Sequence, residues 1–476
     1  PTPSAVPVIP VNVDEVVFDY YSDWSYTYFD GYVRFEKTVT NKDELVQAID
    51  RTKVYSNKSY IRFKITAEPG TYKLGAVQKP SSYTEFEFKD GAVINGSSIS
   101  GKYFFYIGDG KTDISIDGGT FKGKGIVANK AKNITIKNAT FDSVSHDAIV
   151  LKGENGNCVI ENNTIISPKE NGIWLCTSKM TGDVKNNTVT KAGEISIYIY
   201  KATLKGGIIE NTIKNSGGSG IYAGYSAISG DIKGNSLSKV KSKGIGIYHA
   251  SHCRDITENK LVNMGGAHNG FNGDVAIMIN ADEGASKKGK KTYARSITNN
   301  YINGVTYSGI ALYSGPSGSK DKKFNQDKAF VKENISGNTV INAGTYKHSK
   351  NWKKEIKKGG KVGVQAGIYA DVHSRVYGKI NSNTIKKTNQ HGIYVRVGAI
   401  VKSIEKNSVT NVKEDGIGVY YAKVNKIINN TVTKAKRAGI YAREKAKINL
   451  ISGNKVKKCK KKIAKQNSAK VKKIVK

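Results

Sequence analysis

The feature that most limits the fold of this chain is an isoleucine that returns every 24 residues. It occupies positions 149, 173, 197, 221 and 245, and continues with less even spacing at 277, 310, 368, 393, 417 and 440. A fixed period of this length is the signature of stacked structural repeats, in which each repeat contacts only its neighbours. The sequence therefore predicts a stack of repeats, although a length of 476 residues would otherwise suggest several domains.

A column of asparagines alternates with the isoleucines. It begins at Asn163, Asn187, Asn211, Asn235 and Asn259, again 24 residues apart. Such short units, rich in Val, Ile, Thr and Tyr with Gly and Asn between them, predict short strands and turns rather than helix pairs. The sequence thus predicts an all-β parallel β-helix with rungs of about 24 residues. An Asn repeated at a turn predicts a structural ladder of side-chain amides.

The N-terminal part indicates how the stack is closed. Residues 40–50 have the pattern of a short amphipathic helix that Asn41 can cap, and an alternating strand follows at 61–65. With the segment Pro69-Gly-Thr-Tyr72, this entry resembles that of the pectin-lyase-like superfamily. The resemblance spans roughly residues 40–460. It implies a right-handed parallel β-helix with an N-terminal capping helix, in a superfamily of lyases, hydrolases, epimerases, esterases and adhesins.

Composition divides the chain into three parts. We expect a linker and aromatic extension at 1–35, the β-helix at 36–460 and a basic tail at 461–476. The N-terminus has no initiator Met, so we expect that a signal peptide has been removed and that this bacterial-type protein is secreted. No stretch reaches the roughly 18 apolar residues of a membrane span. Four cysteines without a CxxC motif predict free thiols, or at most one disulfide, rather than a zinc site.

Insertions interrupt the repeat on neighbouring rungs. They predict loops at 262–274, 281–295, 314–333 and 341–366, which would wall a cleft with the Ile strands as its floor. These loops carry Lys288, Lys322 and Trp352, and the net charge of the chain is +37. A basic surface attracts polyanions, so we expect an anionic polysaccharide as the partner of a monomeric protein. No nucleic-acid-binding module is present in the sequence, and we expect no nucleic-acid partner.

Alternation along the Ile strands predicts which side chains face the cleft. If Ile149 and Leu151 point inward, Val150 and Lys152 point outward. The same phase on later rungs turns aromatic and amide side chains outward, where they would bind sugars or stack on one another to stabilise the sheet. The predicted substrate-binding residues, besides the three loop residues, are Trp174, Tyr198, Tyr200, Tyr222, Tyr248, Asn280, Tyr394 and Arg375.

Cleavage of a uronate polymer by β-elimination needs a cation to neutralise the carboxylate, a base for the C5 proton and an acid for the leaving oxygen. Arg396 or Arg375 is predicted to be the cation. His373 or Tyr369 is predicted to be the base, and Tyr313 the acid. On this basis the sequence favours a polysaccharide lyase.

Two alternatives stay open. A glycoside hydrolase needs two carboxyl groups about 5–9.5 Å apart, and Asp371 with Asp274 or Asp282 would supply them. A non-catalytic adhesin would instead bind glycan along the tyrosine columns. The sequence identifies no certain cofactor. If calcium takes part, Asp274 and Asp282 are its expected ligands.

Overall fold

The computed structural model of the protein describes residues 18–55, 58–266, 274–281, 291–314, 328–345, 364–466 and 468–475. The chain divides into two compact units, Pro1–Thr188 and Val189–Lys476. Each unit is a stack of short strands that pair in parallel with the strands of the next rung. This confirms the predicted parallel β-helix, and the residues that repeat in the sequence are those that align between rungs.

The first unit begins with the predicted capping helix. The helix Lys42–Thr52 starts at Asn41, whose side-chain oxygen accepts two backbone N–H groups of the first turn, both at 3.0 Å. The buried face of the helix lies against the strands Tyr32–Val39 and Ile61–Ala67. A helix here covers strand edges and core that would otherwise meet water. A short 3₁₀ helix, Phe18–Tyr21, precedes these elements in the sequence, and a second one, Lys53–Tyr55, directly follows the capping helix.

The strands of the first unit belong to two sheets. The smaller sheet contains the Ile column, and we call it the Ile sheet in each unit; here its strands are Tyr103–Ile107, Gly125–Asn129, Ile149–Lys152 and Ile173–Cys176. The strands of the larger sheet are Ser25–Phe29, Tyr32–Val39, Ile61–Ala67, Gly70–Lys73, Thr84–Asn95, Thr112–Lys122, Lys132–Lys137, Thr140–Asp142, Val159–Glu161, Thr164–Ile166, Lys179–Met180 and Val184–Lys185. The strand Thr188–Thr190 contains the boundary between the units.

The second unit has the same two sheets. Its Ile sheet consists of Ile197–Tyr200, Ile221–Gly224, Ile245–Tyr248, Ile277–Asn280, Ile310–Tyr313, Ala366–Asp371, His391–Arg396, Asp415–Tyr420, Ala438–Arg443 and Lys461–Lys465. Its larger sheet consists of Thr203–Leu204, Ile208–Ile209, Thr212–Lys214, Ala227–Ile228, Ile232–Lys233, Ser236–Val240, His252–Thr257, Lys260–Met264, Thr292–Thr298, Tyr301–Val305, Ala329–Val331, Ile335–Ser336, Thr339–Ala343, Arg375–Asn381, Thr384–Lys386, Ile400–Glu405, Ser408–Val412, Lys423–Ile428, Thr431–Ala435, Lys447–Ser452, Lys455–Lys457 and Lys470–Val475.

The isoleucines of the repeat are direct partners on successive rungs. Ile149 pairs with Ile173 in the first unit, and in the second unit each Ile from 197 to 440 pairs with the next. The paired isoleucines are fully buried. Their burial fixes the register, because a slip of one residue would turn the whole apolar set to the other face.

The asparagine column forms a hydrogen-bonded ladder. In the second unit the backbone N–H and the side-chain amide of Asn235 both donate to Oδ1 of Asn259, at 2.9 Å each. The same pair of bonds links the next asparagines in turn, up to Asn430 and Asn454. The column is therefore structural, as its turn position predicts.

The predicted domain boundaries can be placed on these elements. The aromatic extension contains the strand Ser25–Phe29, which pairs antiparallel with Tyr32–Val39. At the other end, residues 461–476 include two strands, Lys461–Lys465 and Lys470–Val475, that pair with the preceding rung. The four predicted loops lie largely outside the described residues, and the strands Lys260–Met264, Thr292–Thr298 and Ala329–Val331 overlap their ends.

All four cysteines are free thiols, and Cys158 and Cys253 are buried. Burial raises the pKa of Cys158 to about 11. Among the described residues, no helix has the length and apolar character needed to cross a bilayer.

Candidate functional site on the Ile sheet

The outward positions of the Ile sheet in the second unit form an apolar cluster of their own. The inward isoleucines fill the coil, whereas the outward residues of the middle rungs pack together on the opposite face, as strand alternation predicts. The buried members of this cluster are Tyr248, Val275, Met278, Ala311, Tyr313, Val364, Ala366, Tyr369 and Tyr394, with Tyr222 and Tyr420 packed against it. We call this group the outer cluster.

The outer cluster is buried rather than open. The side chains of Tyr313 and Tyr369 are 2% and 0% exposed, and Asn280 and Asp371 are also 0% exposed. Strand alternation predicts these residues on the open floor of a cleft. Alternation assigns a side chain to one face of a sheet but does not tell what packs over that face, which is why exposure differs from the expectation.

Asp371 is the charged centre of the outer cluster. The hydroxyl of Tyr369 donates a hydrogen bond to its Oδ2, and the backbone N–H of Val372 donates to its Oδ1 at 2.9 Å. Nε of Arg396 lies 3.5 Å from Oδ1, and the Arg396 side chain is 21% exposed. The ring of Tyr313 meets that of Tyr369 edge-on, with 5.3 Å between centroids. Four predicted catalytic residues are thus brought together, and Arg396 is the one that reaches solvent.

The protonation of these groups limits their chemistry. Burial, and then the charge of Asp371, raise the pKa of Tyr313 and of Tyr369 well above the usual value. Burial opposes the charge on Arg396, but electrostatic interactions with the side chains of Tyr369 and Asp371 outweigh burial and raise the pKa of the guanidinium. Both tyrosines therefore stay protonated at neutral pH. They can donate a proton or a hydrogen bond, but in this environment Tyr369 is a poor base.

His373 and Arg375 lie apart from this centre. His373 is in the turn that follows Asp371, with φ of 53°, and its backbone N–H donates to the carbonyl of Val397 at 2.9 Å. Arg375 begins a strand of the larger sheet, and its guanidinium lies 4.9 Å from the centroid of the Tyr377 ring. Arg375 therefore does not share the outer face of the Ile sheet with Arg396.

A second charged group borders the outer cluster. The ring of His391 stacks on Tyr394 with 3.9 Å between centroids, and its two nitrogens lie 3.4 Å from Asp415 and from Glu414. Arg437 donates from Nε to Asp415 at 2.7 Å and lies 3.0 Å from Glu414. The sequence does not predict that these four residues form one group, because they come from three rungs and no local motif joins them.

Two sets of residues include carboxylates that could hold a cation. His391, Glu414 and Asp415 could together offer three ligand atoms, but the guanidinium of Arg437 already occupies the carboxylates, so the donor set does not fit a dication. Asp274 is fully buried and accepts the backbone N–H of Gly266 at 3.3 Å. Its expected companion at position 282 lies outside the described residues, and so do Lys288, Lys322 and Trp352.

The aromatic residues before the outer cluster are partly exposed. Tyr198, Tyr200 and Tyr222 are half-buried on neighbouring rungs, and Trp174 is half-buried in the first unit. The rings of Tyr198 and Tyr222 lie 5.7 Å apart at 71°, and those of Tyr200 and Tyr225 lie 5.9 Å apart at 85°. Tyr222 and Tyr248 instead stack with 5.0 Å between ring centroids.

The fold and this surface define a parallel β-helix with an aromatic and arginine-bearing outer face. Residues 124–281 and 366–472, more than half of the chain, match the family described as right handed beta helix region, and the chain belongs to this family. The predicted right-handed parallel β-helix is therefore confirmed. No curated protein matched the chain in sequence.

Three solved structures illustrate the likeness. A double mutant of the tailspike protein of E. coli bacteriophage HK620 is 12% identical, with 88% of this chain and 74% of that chain covered and a TM-score of 0.44. PfbA, a surface adhesin of Streptococcus pneumoniae, is 13% identical, with 89% of each chain covered and a TM-score of 0.31. The catalytic unit of a GH87 alpha-1,3-glucanase from Streptomyces thermodiastaticus strain HF3-3 is 13% identical, with 88% of this chain and 65% of that chain covered and a TM-score of 0.34.

Proposed function

We propose that the protein binds polysaccharide on the outer face of the Ile sheet of its second unit. The observation that carries the proposal is a row of partly exposed aromatic surfaces on neighbouring rungs, which the half-buried side chains of Tyr198, Tyr200 and Tyr222 supply. Sugars bind such faces with their C–H groups and bind tyrosine hydroxyls by hydrogen bonds. Because structural polysaccharides lie outside cells, the proposal includes an extracellular location.

Positive charge lies close to these rings. Nζ of Lys201 is 5.2 Å from the centroid of Tyr200, and Nζ of Lys243 is 5.3 Å from that of Tyr248. Ammonium groups close to an aromatic surface favour sugars with acidic substituents. The same charges support the expected preference for an anionic polymer.

Cleavage by β-elimination is the second candidate function. One observation favours it: Arg396 is partly exposed next to Asp371 and to the protonated Tyr369. In this proposal Arg396 neutralises a uronate carboxylate. The acid and the base stay unassigned, because Tyr313 and Tyr369 are buried and His373 lies apart from this centre. Hydrolysis has less support, because Asp371 and Asp274 are both fully buried and accept backbone N–H groups.

The test of binding compares two variants by calorimetric titration with a panel of acidic and neutral oligosaccharides. Tyr198→Ala with Tyr222→Ala should lower affinity at least tenfold, since base stacking on one aromatic ring already contributes about 1–3 kcal/mol and sugar stacking should be of similar order. Tyr377→Ala is the control, because Tyr377 is 42% exposed on the larger sheet. Equal affinities for the two variants would contradict the proposal.

The test of catalysis is separate. The protein is incubated with pectate, alginate, chondroitin and hyaluronan, and ultraviolet absorbance reports the unsaturated product of β-elimination. A lyase should lose turnover in Arg396→Gln while its far-ultraviolet circular dichroism stays unchanged. Release of reducing ends without new absorbance would exclude elimination and favour the hydrolase.

A further inference from the structure

A polar groove lies on the second unit at the turns between strands of the larger sheet. It has a volume of about 640 Å³. Its walls come from successive rungs, and side-chain amides and ammonium groups dominate them. The residues that matter for its chemistry are Asn303, Asn342, Lys387, Thr388, Lys413 and Lys436.

The described lining of the groove is positively charged. None of its described residues is acidic, and its three lysines are exposed. Within the described part of the chain, Lys387, Lys413 and Lys436 form no ion pair. Three cations face one concave surface, which concentrates their field.

The lysines are spaced by the rungs of the coil. Val412 pairs with Ala435, so Lys413 and Lys436, which follow them, are neighbours on adjacent rungs. Adjacent strands lie about 4.8 Å apart, which is similar to the length of one pyranose unit. A linear chain that runs along the stack can therefore present one substituent to each rung.

Hydrogen-bonding groups in the groove are also available. The hydroxyl of Thr388 is buried, with the residue 1% exposed, and has no hydrogen-bond partner among the described residues. A buried hydroxyl without a partner carries a desolvation cost that a ligand can remove. The amide of Asn342 donates to Oδ1 of Asn303 at 2.8 Å, which fixes both side chains with further donor and acceptor capacity.

We propose that this groove binds the carboxylate-bearing units of an acidic polysaccharide. The lysines would meet the carboxylates, and the amides and Thr388 would meet sugar hydroxyls. A nucleic acid fits less well, because none of the described residues that line the groove is aromatic and could stack on a base. The inference adds a second surface to the proposed function, and it holds or fails independently of the tyrosine face.

The test uses hexagalacturonate and its methyl-esterified form, titrated into the full chain by calorimetry. Esterification removes the charge of each carboxylate and adds a methyl group, so hexagalacturonate should bind and the ester should bind at least tenfold more weakly. The variant Lys413→Gln with Lys436→Gln should lower affinity for hexagalacturonate about tenfold, as expected for two exposed ion pairs. The matched control is Lys386→Gln with Lys426→Gln, which removes the same charge from exposed positions outside the groove; it should change affinity less than twofold.

A third variant tests the hydrogen bond of the buried hydroxyl separately from the charge of the lysines. Thr388→Val keeps the size of the side chain and removes the hydroxyl, so it should weaken binding severalfold while the melting temperature stays equal or rises. An equal loss of affinity in the groove variant and in the control variant would overturn the proposal, and so would the absence of any binding of hexagalacturonate. So would equally tight, lysine-dependent binding of a thymidine heptanucleotide. Loss of binding in Tyr198→Ala with Tyr222→Ala, but not in the groove variants, would also overturn it and leave the tyrosine face standing.

Discussion

Asn259 in the ladder of the second unit offers a direct measure of what the asparagine column contributes. Its Oδ1 accepts the backbone N–H and the side-chain amide of Asn235, both at 2.9 Å. Its own amide donates to the carbonyl of Ile232 at 2.8 Å and to Oδ1 of Asn300 at 2.9 Å. Replacement by Ala removes all of these bonds at once.

The expected cost follows from which partners are left without a bond. A typical hydrogen bond contributes about 1 kcal/mol net, and a buried donor left unpaired costs about 1–3 kcal/mol. The backbone N–H of Asn235, a residue with 0% exposure, loses its acceptor in the variant. The amide of Asn235 keeps its bonds to two carbonyls. We therefore expect Asn259→Ala to lower the free energy of unfolding by about 4 kcal/mol.

The assay combines urea denaturation with hydrogen exchange at the amide of Asn235, because a repeat stack need not unfold in a single step. The exchange rate of that amide should rise strongly in Asn259→Ala. The control is Asn425→Ala, since half-buried Asn425 accepts one bond, from Asn449 at 2.7 Å, and should cost less than about 1 kcal/mol. If the two variants unfold at the same urea concentration, the ladder does not stabilise the stack in the way argued.

Two further predictions concern charge and backbone shape. Burial alone would raise the pKa of Asp415, but hydrogen bonds from Arg437 outweigh burial, and the pKa is lowered. The ionised carboxylate therefore stabilises the folded protein above the pKa of Asp in the unfolded chain, about 3.9, and this stabilisation is lost as the pH falls below that value. Asp415→Asn should be less stable at pH 7 and should show a flatter fall in melting temperature between pH 5 and 3, and an unchanged fall would contradict this. Gly118 has φ of +78° and an added Cβ would lie 2.3 Å from the carbonyl oxygen of Phe88. Gly118→Ala should lower the free energy of unfolding by at least about 2 kcal/mol, more than Gly110→Ala, where φ is +75° and nothing lies within 4 Å; equal melting temperatures would refute the steric argument.

The β-helix could be predicted from the sequence because the same buried residue type recurs at the same position of each rung. Ile149 and Ile173 are 24 residues apart in sequence and direct partners in the structure. The same register holds at Ile310 and Ile368, although the interval there is 58 residues. A buried residue type at the same phase of each strand identifies the column even when the intervals change.

The candidate site was predictable only in part. Alternation correctly placed Tyr369 and Asp371 on the outward side, but their complete burial depends on packing that no sequence pattern encodes. Arg375 was grouped with Arg396, yet the turn after Asp371 carries it to the other sheet. The sequence did not predict Lys413 and Lys436 as part of a binding site, because a single charge at a turn does not indicate a site until the strand register shows that a second charge lies beside it.

The ladder also has a consequence for how such a protein can change over generations. The hydrogen bonds between successive asparagines measure 2.9–3.0 Å whether the residues are 24 apart, as for Asn235 and Asn259, or 45 apart, as for Asn338 and Asn383. The geometry of the ladder therefore does not depend on the length of the segment between two successive asparagines. Insertions and deletions there are nearly neutral for the coil, so new recognition surfaces can be acquired or exchanged without redesign of the core.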